Sequence, residues 1–103
     1  FDAMVAHCEA IVKKNARDFD ANLALGAAYC AQQRYAKAVQ HYEVAVDVKG
    51  RDAIALFGLG YTRHCMGDVR GSIPYYEAAL GVDPEFKEAN YNLGLVQESA
   101  GAL

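Results

Sequence analysis

Residues 22–29 read Asn22-Leu23-Ala24-Leu25-Gly26-Ala27-Ala28-Tyr29, and the centre of this stretch recurs twice. Leu25-Gly26 returns as Leu59-Gly60 and again as Leu93-Gly94, thirty-four residues on each time. Self-similarity at a fixed period of a few tens of residues marks a repeat architecture, in which each unit buries its apolar face only against its neighbours. No stretch alternates apolar and polar residues as a half-buried strand does. An all-α array of antiparallel helix hairpins is therefore expected.

Outward from that stretch, helical spacing continues in both directions. Met4, Val5, Cys8, Ile11 and Val12 form one apolar face over residues 1–16, closed by Lys13-Lys14 at the negative helix end. A second helix is expected over about Asp20–Gln32, and a third over Tyr35–Val48 after the Gln33-Arg34 turn. Lys49-Gly50-Arg51-Asp52 stops the third, since glycine suits the left-handed position past a helix end. The fourth covers about Ala53–Met66 and ends at Gly67, and Asp68 is placed to cap the fifth. Pro74 inside the fifth predicts a late start or a bend within its first two turns. Asp83-Pro84, an acid before a proline, predicts the start of a last helix running to about Ala100. Such short connectors force neighbouring helices to run antiparallel.

Taken residue by residue, the sequence resembles the tetratricopeptide repeat family, whose signature is W-x2-L-G-x2-Y, A-x3-F and P over about 34 residues. Residues 19–52 match at Leu25, Gly26, Tyr29, Ala38, Tyr42 and Ala45, with Asn22 in place of the Trp and Gly50 of the Pro. Residues 53–86 match at Leu59, Gly60, Tyr76, Ala79 and Pro84; there Leu56, Arg63 and Ser72 replace Trp, Tyr and Ala. Residues 87–103 are a first helix with Leu93, Gly94 and Gly101, and residues 1–18 a second helix in which Phe1 aligns with Tyr35 and Ile11 with Ala45. The resemblance implies a right-handed α-α superhelix. A glycine inside a helix costs about 1 kcal/mol relative to alanine. Gly26, Gly60 and Gly94 are accordingly expected where a partner helix approaches closely.

A second stripe runs along each first helix, six and three residues before the glycine and one, four and five after it. It comprises Asp20, Leu23, Ala27, Cys30 and Ala31, then Ile54, Phe57, Tyr61, His64 and Cys65, then Glu88, Tyr91, Leu95, Glu98 and Ser99. In tetratricopeptide repeat proteins these positions line the concave groove that receives a peptide. The resemblance thus implies a peptide-binding set of Leu23, Ala27, Ile54, Phe57, Tyr61, His64, Glu88, Tyr91 and Leu95, with Asp20, Glu88 and Glu98 on the rim. A partner with apolar anchors follows. The family's carboxylate clamp does not: its positions hold Leu23, Ala27, Gly58, Glu88 and Asn92, and Glu88 repels a carboxylate.

The net charge of −3 argues against a surface that tracks phosphates, as does the 34-residue period against the related RNA-reading pentatricopeptide hairpins, which repeat at about 35 and carry a basic face. No apolar run is long enough to span a bilayer, and the opening residues show no signal-peptide pattern. The first residue is not Met, so upstream sequence is expected. Cys8, Cys30 and Cys65 are few and scattered, which fits half-buried thiols in a reducing, cytoplasmic setting. Cys30, His64 and Cys65 could share a row but lack the paired spacing of metal ligands, and His7 and His41 are expected to face solvent. Gly58-Leu59-Gly60 lies inside a helix without a preceding strand, so it is no dinucleotide loop. The reading is a non-catalytic, cofactor-free adaptor or scaffold. Its alternative is self-assembly, a homo-oligomer formed by stacking or swapping terminal repeats whose apolar sides (Tyr91, Leu93, Leu95, Val96) lack a polar cap.

Overall fold

A computed structural model describes residues 2–102. Six helices make up the fold: α1 Asp2–Lys14, α2 Phe19–Ala31, α3 Tyr35–Val48, α4 Ala53–Cys65, α5 Val69–Val82 and α6 Lys87–Ala102. The alignment of Phe1 with Tyr35 lies outside the described residues. Among those residues there is no strand, and no helix is long and apolar enough to cross a membrane.

Local chemistry sets the helix starts. Asp18, Asp52 and Asp68 each accept a backbone N–H three residues on, from Ala21, Ala55 and Gly71 at 2.8, 2.9 and 3.0 Å. Both hairpin turns share one bonding pattern. Arg34 N–H donates to the Tyr29 carbonyl and Asp68 N–H to the Arg63 carbonyl, with Gln33 and Gly67 in the left-handed region at φ 62° and 88°.

Two expectations about helix ends need correction, those at Gly50 and at Asp83-Pro84. Lys49 caps α3 at φ −128°, and Gly50 does not enter the left-handed region, which among the described glycines only Gly67 occupies. Of the two outcomes expected from Pro74, the late start is not the one found: Val69 opens α5 and the helix continues through Pro74, its sixth residue. α6 does not start at Asp83-Pro84. Asp83 instead accepts the N–H of Glu85 on its side chain and that of Phe86 on its carbonyl, closing a tight turn. The Phe86 carbonyl then accepts Asn90 N–H, so Phe86 occupies the slot that Asp52 fills one repeat earlier.

The helices pack in sequence, each against the next. In addition α2 approaches α4 and α4 approaches α6, whereas the backbones of α1 and α3, and of α3 and α5, stay more than 8 Å apart. The even-numbered helices are thus drawn together and the odd-numbered ones splayed, which bends the layer toward α2, α4 and α6. The molecule measures 44 × 25 × 18 Å. Leu25, Tyr29, Ala38, Tyr42 and Leu59 form the centre of one core, and Leu56, Ala79 and Ala89 of a second. Each fully buried leucine contributes about 2 kcal/mol of transfer free energy.

The helix glycines are not equivalent. A Cβ on Gly26 would stand 2.8 Å from the Tyr42 ring, and one on Gly60 would stand 3.0 Å from Tyr75 Cβ and 3.3 Å from the Ser72 carbonyl oxygen. Close approach therefore holds at these two. At Gly94 a Cβ would meet nothing within 4 Å, and the residue is exposed. The expectation fails there because no described helix packs on that side of α6.

Candidate functional site

The inward bend puts the second stripe of α2, α4 and α6 on one face. Among the described residues large apolar side chains are exposed at six places: Met4, Ile54, Tyr61, Met66, Tyr91 and Leu95. Four of these, Ile54 (61%), Tyr61 (42%), Tyr91 (68%) and Leu95 (40%), belong to the stripe, as does exposed Ala27. Leu23 and Phe57 are half-buried, each packed on a core cluster. Asp20, Glu88 and Glu98 are exposed.

Two hollows open along this face. The first, of about 430 Å³, lies toward the hairpin turns and is lined by Ala27, Cys30, Ala31, Gln33, Tyr35, Tyr42, Tyr61 and Cys65. Its depth comes from side-chain size: Ala27 and Ala31 leave the space that tyrosines of α3 and α4 enclose. The second, of about 400 Å³, lies toward the loops and is lined by Ala53, Ile54, Asp83, Glu85, Phe86, Lys87 and Glu88. Phe57 links the two. Its ring stacks on Tyr61 with centroids 6.1 Å apart and packs against Phe86 at 4.9 Å.

Tyr35 and Tyr42 enter the first hollow from α3, which stripe counting along the first helices could not find. Tyr42 is held between two glycines, Gly26 of α2 and Gly58 of α4, with no room for a Cβ at either. The signal was present in the sequence: Gly58 stands where the previous repeat has Ala24, facing the tyrosine of the hairpin before it.

Electrostatically the first hollow is neutral. Burial pushes the Tyr42 hydroxyl up to about 12, and burial also raises the Cys30 thiol, which Thr62 Oγ1 approaches at 3.6 Å. The neighbouring Cys65 thiol raises the Tyr61 hydroxyl. Tyr42, Tyr61 and Cys30 stay protonated near neutral pH and offer a partner apolar contact with weak donors.

His64 does not complete a row with the two cysteines. Its ring meets Tyr76 edge-on at 6.3 Å, with Nδ1 3.3 Å from a hydroxyl that burial pushes up to about 12. Asn92 Nδ2 donates to the same oxygen at 3.5 Å. Among the described residues no three His, Cys, Asp or Glu side chains gather as metal ligands would.

His41 corrects a further expectation. It does not face solvent, because its Nδ1 lies 3.0 Å from Oδ1 of buried Asn22 and its ring stacks on Tyr29 at 5.6 Å. Burial lowers its pKa, in part offset by Glu9. Asn22 itself donates to the carbonyls of Ala16 and Asp18 at 2.9 and 2.8 Å. A polar residue can thus occupy a signature Trp position because each of its polar atoms is satisfied.

A family model described as tetratricopeptide repeat matches residues 5–53 and 66–103. No curated protein matches the sequence. Two solved structures of MamA share the fold. One superposes with a TM-score of 0.90 at 22% identity, over 94% of this chain and 57% of that one. The other gives 0.88 at 22% identity, over 94% and 53%. At that identity the likeness speaks for fold alone, and this chain spans a little over half the length of either MamA chain.

Proposed function

Because the chain belongs to the tetratricopeptide repeat family, whose repeats generally mediate protein–protein interaction, we propose that it is a non-catalytic adaptor or scaffold segment that holds a partner peptide along α2, α4 and α6. In this reading full repeats span 19–52 and 53–86, flanked by half-repeats at 1–18 and 87–103. The groove is formed by Leu23, Ala27, Ile54, Phe57, Tyr61, His64, Glu88, Tyr91 and Leu95, with Tyr35 added from α3.

One observation carries the reading: among the described residues, four of the six exposed large apolar side chains, Ile54, Tyr61, Tyr91 and Leu95, stand on the stripe of the inner helices, and only Met4 and Met66 lie off it. Scattered exposed hydrophobes need no explanation, but a contiguous row beside a hollow marks a contact surface. Tyr61→Glu tests it, since Tyr61 is 42% exposed and its loss opens no buried cavity. Capture of partners from native extract by the intact protein is expected to fall at least about tenfold, a change of about 1.4 kcal/mol. The thermal midpoint should stay within the range of a surface substitution, about 0.5 kcal/mol. Equal capture by wild type and variant, at equal folded fraction, would sink the groove. Phe57→Ala is a poorer probe, because Phe57 also packs on Tyr76 and Phe86.

Exposure of Tyr91 and Leu95 also supports a second reading, self-association through α6. Light scattering over a range of concentrations distinguishes the two, because only self-association gives a mass that rises with concentration.

A further inference from the structure

Charge is sorted across this molecule. Ten Lys and Arg residues are present, and along the inward stripe there is none; its charged members are Asp20, Glu88 and Glu98. Arg63 sits on an inner helix but turns outward, to Glu43 at 3.4 Å and Asp68 at 3.7 Å, over the Tyr75 ring. Among the described residues the ion pairs are those two and Arg17 with Asp47, so the stripe's acids are not neutralised from within. Building on the groove proposed above, we infer that its partner is a basic amphipathic peptide, with an apolar residue in the Tyr61 hollow and a lysine or arginine in the hollow beside the loops.

The loop-side hollow has the chemistry of a long basic side chain. Ile54, 61% exposed, and Phe86 offer apolar surface for the methylene stem. Three acidic residues, Asp83, Glu85 and Glu88, line the hollow against one basic residue, Lys87. The Asp83 side chain already accepts Glu85 N–H at 3.1 Å, whereas Glu85 and Glu88 are exposed. A cation held there exchanges water for charge-assisted hydrogen bonds.

The two hollows also set a spacing. Ile54 and Tyr61 mark them on one helix, seven residues apart, which is about 10 Å along the axis. A partner meets both with its apolar and basic residues about three positions apart when extended, or about seven apart when helical.

Panning a random 12-residue peptide library against the intact chain tests this, with Tyr61→Glu and the double variant Glu85→Lys/Glu88→Lys panned in parallel. Enriched peptides are expected to pair an aromatic or aliphatic residue with Lys or Arg at one of the two spacings. They should bind about tenfold more weakly to the double lysine variant at low salt, and more weakly to wild type as salt rises. The double lysine variant should itself enrich acidic residues at the basic position. Neutral or acidic peptides that are lost on Tyr61→Glu overturn the charge inference and leave the groove standing. Binders indifferent to Tyr61→Glu, or no enrichment at all, overturn both.

Discussion

At Gly26 a methyl group would stand 2.8 Å from the Tyr42 ring, and at Gly58 it would overlap the other edge of the same ring, whereas at Gly94 it would meet nothing within 4 Å. Tyr42 is buried and gripped from both sides, so it cannot swing away to make room. The sign of a glycine-to-alanine change should therefore depend on the neighbour and not on the repeat position. Gly26→Ala and Gly58→Ala are expected to lower stability by about 1–3 kcal/mol, the cost of overpacking after the helix-propensity gain is spent. Gly94→Ala should raise it by up to about 1 kcal/mol. Urea midpoints of the three variants check the order; a stabilised Gly58→Ala would show that Tyr42 is not clamped. The period told where glycines recur, but not which of them touches a ring.

Each hairpin turns through one bond pattern, and its left-handed residue is Gln33 in the first and Gly67 in the second. The left-handed region costs a residue with a Cβ about 1–2 kcal/mol, which glycine avoids. Gln33→Gly is expected to stabilise the chain by about 1 kcal/mol, and Gly67→Ala to destabilise it by a similar amount, both read from thermal midpoints. No change at Gln33 would mean that its side chain already offsets the strain. The two turns were visible as Gln33-Arg34 and Gly67-Asp68, thirty-four residues apart. The start of α6 departs from the expectation for a related reason. Asp-Pro signals a cap whether it opens a helix or a preceding turn, and here Phe86, held against Phe57, moves the helix on to Lys87.

Across the whole molecule, stability should follow position in the row. α1 packs on α2 alone, and α6 on α5 and α4 along one side only, while α2 to α5 are held by neighbours before and after. Repeat arrays behave approximately as one-dimensional chains of nearest-neighbour interfaces, and their ends open first. Native-state hydrogen exchange is expected to show the strongest protection in α2, α3 and α4, and the weakest in α1 and the second half of α6. Uniform protection over all six helices would indicate a single cooperative unit. The Glu9 bond to the Tyr29 hydroxyl is the polar tie between α1 and α2, and its loss should loosen α1 further.

Much of this was already settled in the linear chain. A repeat of thirty-four residues, apolar positions at helical spacing and a capping acid at Asp68 are local or periodic properties, so six helices in antiparallel pairs followed without coordinates; the same role of Asp18 and Asp52 came only with the structure. Counting along each first helix also placed the stripe on which Ile54, Tyr61, Tyr91 and Leu95 stand exposed. Other features needed the packing itself. That Tyr42 bridges two hairpins, that His41 turns in to Asn22, that Tyr35 closes a hollow and that Arg63 turns outward all depend on residues from different helices competing for one space. Helical period determines which way a side chain leaves its own axis, whereas only the neighbouring helices decide what it meets there.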